Sequence, residues 1–75
     1  MDWDEDLDAT GLLCPLPVLK ARKRLKGMAP GAVLCLRCTD PAAHVDVPHF
    51  CREAGHDFLE ARACGDAACF LIRRA

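Results

Sequence analysis

At 75 residues the chain suits one domain, and a domain of that size buries only about 60–65% of the surface its unfolded form exposes. With aromatic residues at 5% the core must be aliphatic and regularly packed. The net charge of −1 is far from the positive excess of a self-contained nucleic-acid-binding domain, and no apolar run approaches the roughly 20 residues of a membrane span.

The charge is unevenly spread. Asp2, Asp4, Glu5, Asp6 and Asp8 make the start acidic, and residues 1–6 are expected to form an acidic extension of a single domain over 1–75. This opening is the reverse of the basic start of a secretory signal, so a cytoplasmic location is expected. Leu7 to Ala9 is then a short strand, and Thr10-Gly11 starts the connection to Cys14. A helix follows from about Pro15 to Gly27, with Val18, Ala21, Leu25 and Met28 recurring on one face and Gly27 and Pro30-Gly31 closing it. Ala32 to Cys38 is nearly continuously apolar, as expected of a central strand, and Asp40-Pro41 breaks it. Asp46 is expected to cap a short second helix in which Val47, Phe50, Cys51 and Ala54 share a face and which Gly55 stops. Phe58 to Ala63 and Cys69 to Arg73 complete the chain as strands around a turn at Gly65-Asp66.

The order βαβαββ predicts an α+β fold: a two-layer sandwich of a four-stranded mixed sheet with two helices on one face. A right-handed crossover makes the first two strands parallel. Their outgoing loops then emerge at one edge, which Cys14 is expected to share with Asp40, His44 or Asp46.

Cys14 carries the chemistry. In Cys14-Pro15-Leu16-Pro17 the prolines favour a helix start and forbid helix before it. The cysteine therefore sits at a helix mouth, where unpaired N–H groups and the helix dipole favour a thiolate. Lys20, Arg22, Lys23, Arg24 and Lys26 add a positive field, and a thiol pKa depressed below its ordinary value is expected. At 100° per residue Leu16 and Leu19 fall away from the core face and among Lys20, Lys23 and Lys26, a surface suited to docking partners beside the nucleophile.

The remaining cysteines read differently. Cys35 and Cys38 have a C-x-x-C spacing, but residues three apart in a strand point to opposite faces, so no shared metal is expected. Cys51 lies on an apolar helix face and reads as core. Cys64 and Cys69 flank what reads as a four-residue hairpin connection, across which they face each other at a separation that permits a disulfide; free thiols are the cytosolic expectation. His44, His49 and His56 do not have the i, i+4 spacing of a helical metal pair.

Leu7-Asp8-Ala9 with Gly11-Leu12, Cys14-Pro15-Leu16-Pro17, Met28-Ala29-Pro30-Gly31, Asp40-Pro41-Ala42, Asp46-Val47-Pro48 with Phe50-Cys51, and Phe70-Leu71-Ile72-Arg73 together resemble the TusA/SirA/YedF family of small sulfur-carrier proteins, from about Leu7 to Arg74. The resemblance implies a βαβαββ sandwich and a cysteine, here Cys14, that accepts sulfane sulfur as a transient persulfide and hands it on without any other cofactor. It implies a sulfurtransferase-type carrier that acts in complexes, with a donor such as a cysteine desulfurase or rhodanese and an acceptor such as a DsrE-type or TusD-like protein. The sulfur relays of the family serve tRNA thiolation, cofactor synthesis and dissimilatory sulfur metabolism. Leu13 stands where TusA proper often has a basic residue, and Leu16 where it commonly has glutamate, which makes the surface around Cys14 more apolar and bears on the partner set. A monomer is expected, with no membrane and no stable nucleic-acid partner. The alternative is an RNA-binding or regulatory module that uses the basic helix and has no need of Cys14.

Overall fold

A computed structural model describes residues 3–75. The elements run β1 (Glu5–Ala9), α1 (Leu16–Lys26), β2 (Val33–Cys38), α2 (Ala43–Ala54), β3 (Asp57–Cys64) and β4 (Ala67–Arg73). The sheet order is β1-β2-β4-β3. β1 lies parallel to β2, with Leu7 opposite Leu36 and Ala9 opposite Cys38, and β4 lies antiparallel to both β2 and β3. The mixed four-stranded sheet with its two helices is the fold class that the chain order predicts.

β1 starts earlier than its apolar residues suggest. Leu7 and Ala9 point inward while Asp6 and Asp8 alternate outward, the pattern of a strand with one wet face. The acidic extension expected over 1–6 is therefore partly sheet: Glu5 and Asp6 pair with β2, and Asp4 exchanges hydrogen bonds with Val33, its N–H donating to the carbonyl and its Oδ2 accepting from the N–H, both at 2.8 Å. Asp2 lies outside the described residues.

α1 buries Pro17, Ala21 and Leu25, with Met28 buried just beyond its end and Val18 half-buried. Its C-terminus is tied to the end of the sheet by Arg74, whose Nε donates to the Leu25 carbonyl at 2.7 Å. α2 begins three residues before the expected cap. Asp40 organises that start: its carbonyl accepts from the Ala43 N–H and its Oδ1 from the Ala42 N–H, both at 3.0 Å. Asp46 thus lies in the first turn rather than at the cap, and Pro48 sits inside the helix. Proline is ordinarily a helix-start residue, which is why the sequence places the start too late. Val47, Phe50 and Cys51 are buried as expected, but Ala54 is exposed in the last turn.

Between the layers, Leu7, Ala9, Leu34, Leu36, Cys38, Phe70 and Ile72 from the sheet meet the inner faces of α1 and α2. Each fully buried Leu, Ile or Phe there contributes about 1.5–3 kcal/mol. The opposite sheet face holds a second small cluster of Cys35, Cys69 and Leu71, with Trp3, Val33 and Cys64 packed against it. Cys35 and Cys38 accordingly belong to different faces. β3 and β4 are joined by a two-residue turn at Gly65-Asp66, with Gly65 at φ 63°, tighter than the connection expected between Cys64 and Cys69. Cys64 therefore opposes Ala67, and Cys69 opposes Arg62, so the two cysteines are diagonal rather than facing. All six cysteines are free thiols. No helix among the described residues is long and apolar enough to cross a membrane.

Candidate functional site

Because β1 and β2 are parallel, the loops that leave them meet at one edge, and two hydrogen bonds stitch them together. The Thr10 N–H and hydroxyl both donate to Asp8 Oδ1, at 3.0 and 2.7 Å, turning the chain out of β1. Gly11, at φ 80°, then crosses towards β2, where its N–H donates to Thr39 Oγ1 at 2.9 Å. The Cys14 N–H donates to Asp40 Oδ2 at 2.7 Å. One carboxylate thus ties down both the Cys14 backbone and the start of α2, and the N–H groups of Cys14 and Ala42 hold its pKa below the ordinary carboxylate value.

Cys14 is exposed, one residue before Pro15, the cap of α1, and the Cys14–Pro15 peptide is cis. Its thiol hydrogen-bonds Asp46 on the first turn of α2. That bond, then partial desolvation, then the charges of Asp46 and Asp40 raise the Cys14 pKa above its ordinary value. The expected depression is thereby overturned. The helix start and the cations of α1 favour thiolate, but Asp46 is in direct contact with the sulfur whereas most of those cations lie turns away in solvent. In the free chain Cys14 is held as the thiol.

The sulfur opens onto a groove of about 260 Å³ between the two helices, lined by Pro15, Val18, Arg22, Asp46, Phe50 and Glu53 among others. The Arg22 guanidinium lies 5.4 Å from the centre of the Phe50 ring, bridging the helices, and His49 pairs with Glu53 along one wall. Sequence reasoning missed this groove. Asp46, His49, Phe50 and Glu53 do carry helical spacing, but only the packing of α2 beside α1 turns that face towards Cys14.

The other singled-out residues are spread more widely. His44 stacks edge-on against Phe70, centroids 5.1 Å apart, and lines a different cleft with Cys38, Asp40 and Ala68. It is two residues from Asp46, nearly half a turn round α2, so the helix that brings Asp46 to the sulfur turns His44 away. Leu16 and Leu19 are each 47% exposed and Leu13 is 68% exposed, an apolar rim on the chain segment that carries Cys14. Lys20 and Lys23 follow Leu16 and Leu19 one turn on along α1 and line a surface with Leu7, Arg24 and Gly27. Among the described residues no three His, Cys, Asp or Glu side chains are grouped to hold a metal ion.

The sequence profile of the family described as Sulfurtransferase TusA matches residues 5–74. The chain belongs to this family. It is 40% identical over 74 residues to a protein of Allochromatium vinosum named Sulfur carrier protein TusA, covering 99% of this chain and 97% of that one. A protein of Pseudomonas aeruginosa with the same name is 38% identical over 71 residues, covering 95% of this chain and 90% of that one. In fold the chain matches the crystal structure of a SirA-like protein from Desulfitobacterium hafniense with a TM-score of 0.82, over 93% of this chain and 96% of that one, at 21% identity. The comparisons lend no support to the RNA-binding alternative.

Proposed function

We propose that this chain is a sulfur carrier that accepts sulfane sulfur as a persulfide on Cys14 and passes it to a partner protein. The observation that carries this reading is an exposed cysteine whose backbone is fixed by Asp40 at the open end of an inter-helix groove, in a chain of the TusA family. In the loading step the Cys14 sulfur attacks the outer sulfur of a donor persulfide, forming a Cys14 persulfide and releasing the donor thiolate. In the unloading step an acceptor thiolate attacks that outer sulfur and Cys14 leaves as the thiolate.

Asp46 gives the cycle a resting state. By accepting the thiol proton's hydrogen bond it keeps the free carrier protonated and slow to react with stray electrophiles. A partner that brings a basic group against Asp46 neutralises the carboxylate and releases the thiolate where it is needed. The apolar rim of Leu13, Leu16 and Leu19 gives such a partner a surface to cover. Donors of the cysteine desulfurase or rhodanese type and acceptors of the DsrE type fit this chemistry, and six free thiols fit a reducing cytoplasm.

The test is onward transfer. Loaded carrier, freed of donor, is mixed with a protein bearing one accessible cysteine and both masses are followed. Movement of one sulfur atom from carrier to acceptor is expected; a sulfur that stays on the carrier or leaves only to small reductants contradicts the reading.

A further inference from the structure

The sheet face turned away from the helices carries a cluster of cysteines that the carrier cycle does not use. Cys35 opposes Leu71 across β2 and β4, Cys69 opposes Arg37 on one side and Arg62 on the other, and Cys64 opposes Ala67. This register aims all three cysteines at the same face. Cys35 and Cys69 are buried, at 0% and 1% exposure, and their Sγ atoms lie 2.8 Å apart. Cys64 is half-buried at the margin, and Trp3 and Val33 complete the cover. Arg62 lies over the Trp3 ring, 5.7 Å from its centre.

The thiols are not equivalent. Burial opposes a charge on Cys69, but hydrogen bonds from Cys35, Cys64 and Arg37 outweigh it and hold its pKa below the ordinary thiol value. Cys35 is driven the other way, to about 12, by burial and then by its hydrogen bond to Cys69. Cys64 is raised by its hydrogen bond to Cys69. Cys69 is thus the most easily ionised of the three neighbouring thiols, the arrangement a thiol–disulfide relay requires. Cys64 is the member that solvent reaches, whereas Cys69 is sealed from any bulky disulfide. A single transferred sulfur atom, entering through Cys64 and leaving as a small molecule, fits that geometry.

We propose that Cys35, Cys64 and Cys69 form a second sulfur site, which reduces the sulfane sulfur of a small-molecule hydropersulfide to hydrogen sulfide and closes a Cys35–Cys69 disulfide. Cys64 attacks the outer sulfur of the hydropersulfide; its proton passes by way of Cys69 to the departing small thiolate, and Cys64 becomes a persulfide. The Cys69 thiolate attacks the inner sulfur of that persulfide, forming a Cys64–Cys69 bond and expelling hydrosulfide. Cys35 then attacks Cys69, its proton converting hydrosulfide to hydrogen sulfide, and Cys64 leaves as the thiolate. In sum two protein thiols and one hydropersulfide yield one disulfide, one small thiol and one hydrogen sulfide. The two cysteine sulfurs supply the electron pair that the sulfane sulfur gains. A shift of under about 1 Å brings the Cys35 and Cys69 sulfurs to the roughly 2.05 Å of a disulfide.

This site does not depend on Cys14, so the test uses full-length Cys14→Ser protein treated with glutathione hydropersulfide, read by intact mass, peptide mapping and sulfide release. The expected result is one hydrogen sulfide per chain above the background of reagent alone, a mass lower by two hydrogen atoms, and a Cys35–Cys69 cross-link. Cys69→Ala in the same background abolishes all three, and Cys64→Ser, which removes the attacking sulfur at the half-exposed margin, lowers sulfide release and cross-linking at least tenfold. Quenching of Trp3 fluorescence accompanies closure of the disulfide. A stable added sulfur without sulfide release, a cross-link elsewhere, or sulfide release unaffected by Cys69→Ala overturns the proposal. Failure of the carrier reading is a separate result, seen in Cys69→Ala protein with Cys14 intact that gains no sulfur.

Discussion

Leu25→Ala separates the exposed cysteine from the buried ones and puts a number on what holds α1 to the sheet. Leu25 is 0% exposed in the core beneath α1. Its truncation removes buried methyl groups and leaves a cavity, at a cost of about 3 kcal/mol. A chain of this length is stable by roughly 4–11 kcal/mol, so the variant remains mostly folded while its midpoint of thermal unfolding falls by about 12–24 °C. Cys38 and Cys51 are each 1% exposed, and burial pushes both thiols up to about 11, so in the folded chain an alkylating reagent reaches them only through opening. A loss of about 3 kcal/mol raises the open population roughly 150-fold, and their labelling rates should rise by that factor. Cys14, which needs no opening, should change by less than about twofold. The assay is a timed iodoacetamide pulse followed by peptide mass spectrometry at neutral pH. A rise of under about tenfold at Cys38 and Cys51, or a parallel rise at Cys14, would refute the reasoning, because either result means that α1 does not lock the core or that Cys14 is not already open.

Asp46→Asn removes the carboxylate that raises the Cys14 pKa, so at neutral pH Cys14 should alkylate several-fold faster than in wild type and its pH–rate curve should move to lower pH; an unmoved curve would place the cause elsewhere. Asp40 has a folded pKa below its ordinary 3.8, so the stability it contributes is present above that value and is lost as pH falls through the lower folded one. Asp40→Ala should therefore destabilise the chain at neutral pH and flatten the acid limb of its stability curve, as followed by urea titration at several pH values. His56, whose Nδ1 accepts from the Ala75 N–H at 3.0 Å, has a pKa lowered by burial and then by Arg74. Its contribution is likewise present above the ordinary histidine value and lost as pH falls through the depressed one, and His56→Gln should remove that part of the dependence.

Much of the fold is legible because its signals are local. Val18, Ala21, Leu25 and Met28 mark α1 by spacing alone, and the chain order βαβαββ leaves few ways to arrange the sheet. What was not legible depends on which polar side chain engages the backbone and on strands distant in sequence. The start of α2 is set by Asp40 rather than by Asp46, while Pro48 is accommodated inside the helix. β1 extends through Glu5 and Asp6 because their pairing with β2 outweighs a charged composition. At the site, Cys14 and the loop that approaches it follow from topology, but the sign of its pKa shift follows from which opposite-helix side chain touches the sulfur. The open-face cluster is hidden for the same reason: Cys35 and Cys69 are neighbours only because β4 inserts between β2 and β3.

The central claim is that Cys14 bears the transferred sulfur. Its most direct measurement is peptide-resolved mass spectrometry of wild type and Cys14→Ser after incubation with a donor protein that carries a cysteine persulfide, with and without reductant. The account predicts one added sulfur on the Cys14 peptide, lost on reduction and absent from the variant. Added sulfur at another cysteine, or an equal gain in Cys14→Ser, would contradict it.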